Sequence, residues 1–378
     1  MKIVVLGAGM IGSAIIKDLA EGNEYNVLAV DFSDNALKIL KGIPSVSRQQ
    51  ADLTEDGIIP QLVEGADLVI NAVPGFMGYN TLKGILESGV NVVDISFFPE
   101  DPFELDDLAK EKGLTAVVDC GVAPGLCNLI AGYVTGKLDQ TDYYHCYVGG
   151  LPVVRQWPYE YKGVFSPADV LEEYTRPARF VENGREVVYP ALSGIELVDF
   201  PGIGTLEAFN TDGLRTLRKT LEIPTMREKT LRYPGHANLM RVFRESGFFS
   251  EKALDVEGQA VKPLSLTSRL LFEQWQMREE DRDITVMQVL LSGRKGKDRM
   301  VYQYDLVDTF DEEKGISSMA RTTGYTCTII ARQLLSGIFT FQGICPPELI
   351  GGMKGAFSNL LSEYQKRGIH LQENIRED

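Results

Sequence analysis

The sequence predicts an α/β protein: a Rossmann-type, doubly wound parallel sheet, followed by an α+β region with a mixed or antiparallel sheet. Three observations predict it. Short apolar strands alternate with helical segments over the first third of the chain. Gly7, Gly9 and Gly12 form G-x-G-x-x-G directly after the first of those strands. Beyond residue 122 longer segments of two-residue alternation take over. Buried strands separated by amphipathic helices demand helices on both sheet faces, and right-handed crossovers leave few topologies.

In order, residues 2–6 read as a strand, 11–20 as a helix stopped at Gly22, and 25–30 as a strand ending in Asp31. Ser33 caps a helix over 33–41. Residues 54–63, 76–87 and 103–112 are helical; 67–72, 91–95 and 114–118 are strands. Downstream, strands are expected over 141–151, 226–233, 283–291 and 300–309. Helices are expected over 168–174, 214–221, 237–246, 264–274, 318–335 and 347–366.

The 378 residues are 44% hydrophobic and 24% charged, the balance of a globular chain of about two domains. The net charge of −15 repels phosphate backbones, so no nucleic-acid partner is expected. Five scattered cysteines without a Cys-x-x-Cys pair point to a reducing cytoplasm. Of three histidines, His145 adjoins Cys146, but strand neighbours face opposite ways, so no metal is expected. Residues 1–16 imitate a leader, which the spaced glycines argue against. Arg332 and Gln333 interrupt the apolar stretch 326–345, so no membrane span is expected.

The glycine motif has the strand-before, helix-after context of a dinucleotide site. Gly7 permits the turn, Gly9 lets backbone approach a pyrophosphate, and Gly12 lets helix and strand pack; Met10 and Ile11 complete the loop. Asp31 lies 19 residues after Gly12, where a carboxylate accepts from both ribose hydroxyls and repels a 2′-phosphate. Phe32 and Ser33 follow, with no arginine, so NAD is read over NADP. Asp52, beside Leu53, reads either as an acceptor for the adenine amino group or as a cap. Asn71, Ala72, Val73 and Pro74 end the fourth strand at the carboxyl edge and are expected to line the cofactor. Residues 1–122 are thus the NAD-binding domain, 123–335 a substrate and oligomerisation domain, and 336–378 a helical segment packing back on the first.

With Asp119-Cys-Gly-Val-Ala-Pro-Gly125, these residues resemble the saccharopine dehydrogenase-like oxidoreductases, and within them the lysine 6-dehydrogenases. Tyr147-Val-Gly-Gly-Leu-Pro152, Val164-Phe-Ser-Pro167, Leu206-Glu-Ala-Phe209 and Lys229-Thr-Leu-Arg-Tyr-Pro-Gly-His236 carry the resemblance onward. Met319-Ala-Arg-Thr-Thr-Gly-Tyr325 and Pro346-Pro-Glu348 complete it. It implies NAD-dependent oxidation of L-lysine at the ε-carbon, giving allysine, which cyclises to piperideine-6-carboxylate, and ammonia. It also implies a homo-oligomer with the second domain's sheet in the contact. The chain departs from saccharopine reductases at two places. Ala123 stands where they carry an aspartate, and Asn210-Thr-Asp212 where they carry Asn-Arg-Asp.

Such a reaction needs a deprotonated amine, because a lysine ammonium has a reference pKa of ~10.4. Asp94 ends the fifth strand and Asp119 the sixth; each is a candidate to face the amine, with Ser96 bonding nearby. His236 is the candidate base by intrinsic pKa, and Arg232 the candidate for a carboxylate. Tyr147, Phe165 and Tyr233 are candidates to line the pocket; Thr211, Asp212, Thr322 and Thr323 are further contacts or plain caps. Cys120 and Cys127 read as small buried residues. Two other readings stand beside lysine oxidation. One is saccharopine- or carboxynorspermidine-type reduction; the other is a non-catalytic NAD sensor.

Overall fold

A computed structural model describes residues 1–377, the side chains of Pro167 and Ala168 excepted, so Pro167 of the Val164–Pro167 stretch and the first position of the helix expected over 168–174 lie outside its described side chains. The chain divides into two compact units.

Unit 1 comprises Met1–Lys137 and Ala320–His370. Its first piece runs β1 Lys2–Leu6, α1 Met10–Ala20, β2 Asn26–Asp31, α2 Asp34–Lys38, β3 Val46–Gln50, α3 Ile58–Val63 and β4 Leu68–Asn71. It continues α4 Gly75–Glu87, β5 Val92–Asp94, α5 Asp106–Glu111, β6 Thr115–Val117 and α6 Leu126–Thr135.

Unit 2 comprises Leu138–Met319 and the last strand of the chain. It runs β7 Gln140–Pro152, α7 Pro167–Thr175, β8 Ala178–Glu182, β9 Arg185–Tyr189, β10 Glu196–Phe200, β11 Gly204–Asn210, α8 Leu217–Thr220 and β12 Thr225–Arg232. Then come α9 His236–Glu245, β13 Leu254–Val256, β14 Gln259–Val261, α10 Pro263–Trp275, β15 Asp283–Lys295 and β16 Asp298–Thr309. The chain closes with α11 Ser318–Ser336, β17 Gly343–Cys345, α12 Pro347–Gly351, α13 Ala356–Lys366 and β18 Leu371–Glu377.

The sheet of unit 1 has the order β17-β6-β5-β4-β1-β2-β3, parallel throughout. The chain reverses its winding between β1 and β4, the switch point at whose carboxyl edge ligands bind in open sheets. Val4, Leu6, Val69, Val92 and Ala116 bury themselves under Leu82, Ile85 and Ala109 of the covering helices. On α1, the buried Asp18 accepts from Thr328 Oγ1 (2.6 Å) and Arg332 Nη1 (2.6 Å) of α11, and from Arg367 Nε (2.8 Å) just beyond α13. These bonds tie the helix that follows the glycine loop to the C-terminal piece of its unit.

The sheet of unit 2 has the order β10-β11-β12-β7-β15-β16-β18, with β8 on β12 and β9 on β8. β12 runs parallel to β7 while the remaining pairs are antiparallel, so the sheet is mixed. An aromatic core of Tyr161, Tyr174, Phe209 and Trp275 fills the space between α7, α9 and α10.

Several expected elements change. The divisions fall at 137/138, 319/320 and 370/371 instead of 122 and 335, because α6 packs with α12 inside unit 1 and β18 pairs with β16. The expected helix 347–366 is two helices, parted around Gly352 and the left-handed Gly355. The helix expected over 214–221 shrinks to α8, and that over 54–63 begins only after Gly57. α6 was not expected: eight of its ten residues are buried, so it shows no polar face for periodicity to register. Among the described residues no helix is long and apolar enough to cross a membrane.

Burial alone would raise the Asp18 carboxyl, but Arg332 and Arg367 outweigh it and hold its pKa below the usual value. Asp18→Ala leaves Arg332 without its anion and Arg367 with only Glu363, and is expected to cost about 3 kcal/mol at pH 7. Because the folded pKa is depressed, Asp18 stabilises the fold above its unfolded pKa of ~3.9, and that contribution fades as pH falls through the folded value. Denaturant titrations of both proteins at pH 7 and at pH 3 check this: the gap should narrow at the lower pH.

Candidate active site

At the start of α1 the chain has no freedom to carry side chains. Gly7 sits at φ 100°, and a Cβ there would lie 2.4 Å from the Ala72 carbonyl oxygen. A Cβ on Gly12 would lie 2.2 Å from the Gly7 carbonyl oxygen. Gly9, by contrast, has open space where its Cβ would be, on the side where a ligand approaches backbone. No side chain caps α1, so its first N–H groups are left for an anion.

Asp31 closes β2 with both carboxylate oxygens fixed: Ala8 N–H donates to Oδ2 (2.6 Å) and Ser33 N–H to Oδ1 (2.7 Å). The rigid negative group suits a ribose diol and opposes a 2′-phosphate. Beside it Phe32 is 72% exposed, and Phe76, two residues after Pro74, is 75% exposed. Neither was among the expected contacts; Phe32 directly follows the end of β2, and Phe76 lies in the first turn of α4. Met10 is also exposed, whereas Ile11 is half-buried and Gly12 buried. At Asp52, Oδ1 accepts from Thr54 N–H (2.9 Å) and Oγ1 (2.7 Å), which lowers its pKa; the bonds form a turn with Leu53 at its centre. These residues fit NAD.

A second constellation lies where β4 and β5 end. Asn71, Asp94 and Ser96 are all buried. Asp94 Oδ2 accepts from Asn71 Nδ2 (2.5 Å), and Oδ1 accepts from Ser96 N–H (2.6 Å) and Oγ (2.5 Å). Burial is the main cause that pushes the Asp94 carboxyl up to about 7, against the pull of these donors; the charge of Asp119 adds to the rise. Asp119 is buried beyond the end of β6, with its backbone at φ 53°, a strained conformation for a residue with a side chain. Thr322, on α11, is buried with its carbonyl accepting from Thr326 Oγ1 (2.7 Å).

The expected catalytic residues of unit 2 stand in its interior. His236 starts α9; its Nδ1–H donates to the Tyr159 carbonyl oxygen (2.9 Å) and its Nε2 accepts from Tyr174 OH (2.9 Å). Burial, reinforced by Arg232, pulls its pKa down to about 3, so the ring is neutral with both nitrogens engaged. That geometry offers no lone pair to a substrate, which corrects the expectation of a histidine base. Arg232 is equally buried, donating to Glu173 Oε2 (2.6 Å) and lying 4.5 Å from the centre of the Tyr161 ring. Its carboxylate is therefore Glu173 of its own unit.

Tyr147 donates to Glu196 Oε1 (3.1 Å) and lies against His145. Tyr233 donates to the Pro152 carbonyl (2.8 Å), and Phe165 packs on the aromatic core. Thr211 bonds Thr230 (3.0 Å), and Asp212 takes Arg179 in a two-pronged pair. The structure thus gathers Asn71, Asp94 and Ser96 into one bonded cluster; the expected residues of unit 2 are spread over its sheet and core.

Residues 121–369 match the family model of the saccharopine dehydrogenase C-terminal domain, and residues 3–117 that of the saccharopine dehydrogenase NADP binding domain. The chain belongs to the saccharopine dehydrogenase family. It is 23% identical to saccharopine dehydrogenase [NADP(+), L-glutamate-forming] of Schizosaccharomyces pombe, covering 99% of each chain. It is 27% identical over 285 residues to the mitochondrial alpha-aminoadipic semialdehyde synthase of Mus musculus, covering 70% of this chain and 30% of that protein. The apo saccharopine dehydrogenase (L-Glu forming) of Saccharomyces cerevisiae shares the fold, with a TM-score of 0.81 at 19% identity and 99% of each chain covered. These relatives are not lysine 6-dehydrogenases; they support the family and not that branch of it. The chain carries the oxidoreductase fold of this family, with a dinucleotide unit that fits NAD.

Asp31→Ser removes the fixed charge. It is expected to weaken NAD binding about tenfold or more, as for loss of charge-assisted hydrogen bonds, and to narrow the gap to NADP. Parallel fluorescence titrations with NAD and NADP check this; an unchanged preference would show that Asp31 does not select the cofactor.

Proposed function

We propose that the chain catalyses reversible, NAD-linked oxidation of a carbon–nitrogen bond in an amino-acid-derived amine, with a secondary amine of the saccharopine or carboxynorspermidine type as substrate. The observation that carries this reading is the family match across residues 121–369, joined to a dinucleotide loop whose Ala8 N–H fixes Asp31 at the end of β2. The Schizosaccharomyces pombe relative is named for NADP(+); NAD is preferred here because a 2′-phosphate would face the Asp31 carboxylate.

The glycine loop and the fixed Asp31 carboxylate would hold NAD, which would supply the hydride acceptor for the carbon bearing the nitrogen. The balance is then a secondary amine plus NAD⁺ and water giving a primary amine, a carbonyl compound, NADH and a proton. Unit 1 would hold the cofactor at its sheet edge. The proton-accepting role falls to Asp119, a buried carboxylate directly before the Cys120–Gly125 turn. His236 and Arg232 instead fix the interior of unit 2. The enzyme works as a homo-oligomer in a reducing cytoplasm, in keeping with five free, buried cysteines.

A second reading is oxidation of L-lysine to allysine with release of ammonia. Thr211 favours it: it stands where saccharopine reductases carry an arginine, so a bulky dicarboxylic substrate has one partner fewer.

Absorbance at 340 nm with NAD or NADP, over a panel of saccharopine, carboxynorspermidine, lysine and ornithine, tests both. Turnover of a secondary amine supports the first reading. Turnover of lysine with ammonia release transfers the proposal to the second. NAD binding without turnover of any amine favours the sensor. Asp119→Asn is expected to lower kcat by about a hundredfold, within the usual range for a lost general base, with NAD affinity little changed.

A further inference from the structure

Asp94 has three donors on its two oxygens, all within unit 1, and no exposed surface. Its work is therefore internal, and the partner it orients is Asn71. Asn71 Nδ2 donates to Asp94 and to the Gly78 carbonyl oxygen (3.3 Å) in α4, while its buried Oδ1 has no partner among the described residues. The amide is thus oriented from one side only. The next residue, Ala72, donates to the Leu6 carbonyl oxygen (2.8 Å) and presses its own carbonyl against Gly7. Gly78 is part of the same fit, since a Cβ there would lie 2.3 Å from Ser96 Oγ.

We propose that Asp94 is a positioning residue for the dinucleotide: through Asn71 it holds the turn over residues 71–74 against the glycine loop. This rests on the dinucleotide reading of unit 1 but not on any choice of amine. Losing the acceptor frees the Asn71 amide to turn over, so Gly78 meets oxygen instead of N–H and the turn loosens.

A protonated Asp94 cannot accept all three bonds, so NAD affinity falls with pH. The ionisable groups that face Asp94 are Asp119 and Cys120 beyond β6 and Cys327 on α11; burial keeps both thiols protonated well above neutrality. With Asp94 at about 7, the weakening runs from pH 8 to pH 6. Fold stability moves the other way. The folded pKa is raised, so the carboxyl's relative contribution is complete below its unfolded pKa and is lost as pH rises through about 7. Asp94→Asn removes that loss. At pH 8 it is expected to melt no lower than the parent.

The test is calorimetric titration of NAD into the full chain at pH 8 and pH 6, with melting curves. The parent should bind about tenfold more weakly at pH 6, the size expected for a hydrogen bond to a charged group. Asp94→Asn should bind weakly at both pH values. Ser96→Ala, a milder change, should shift the pH midpoint upward because it removes donors' support for the ionised form. If Asp94→Asn does not fold, that midpoint decides. Parent binding with Asp94→Asn unaffected, or with an unmoved Ser96→Ala midpoint, overturns the proposal alone. A parent that does not bind NAD overturns the dinucleotide reading with it.

Discussion

The dinucleotide edge of unit 1 depends on backbone against backbone: at Gly7, packed on Ala72, and at Gly12, packed on Gly7, no Cβ fits. That contact sets β1 beside β4 at the switch point and starts α1 so near the sheet that its free N–H groups face the carboxyl edge. Further along, α1 carries Asp18 into its two arginines, so the C-terminal piece of the unit braces the same helix. The glycine loop is rigid because it is packed from behind, and open only at Gly9.

Unit 2 meets a different demand. Its polar residues are buried among aromatic rings, where an unpaired group is costly, and the chain answers with short bonded groups. Glu207 accepts from Gly235 N–H (3.1 Å) and Ala237 N–H (2.7 Å) to cap α9, and Asp283 accepts from Ser318 N–H (2.7 Å) and Met319 N–H (2.9 Å) to cap α11. His236 and Arg232 belong to the same economy. A histidine at pKa about 3, with both nitrogens bonded, is framework, however apt its intrinsic pKa looks on paper.

The dinucleotide edge was legible in the sequence because its signals are local. Gly7, Gly9, Gly12 and Asp31 stand at spacings that only a strand-turn-helix unit explains. The settings of His236 and Arg232 were not, because a residue's type does not tell whether its partners come from substrate or from its own unit. Glu173 lies 59 residues from Arg232, and Tyr174 lies 62 from His236. No local pattern joins them. The broken tail helix and the unexpected α6 follow similarly from glycine placement and all-round burial, which periodicity does not resolve. Gly78 is the subtler case: nothing local explains this glycine inside a helical run, and its reason is Ser96, just beyond the end of β5.

The most direct test of the account is a crystal structure of the full chain grown with NAD. The account predicts a pyrophosphate on the N–H groups that open α1, backbone passing close at Gly9, and both adenosine ribose hydroxyls within hydrogen-bond reach of Asp31. A dinucleotide whose ribose lies away from Asp31, or density for NADP with its 2′-phosphate seated at that carboxylate, would contradict it.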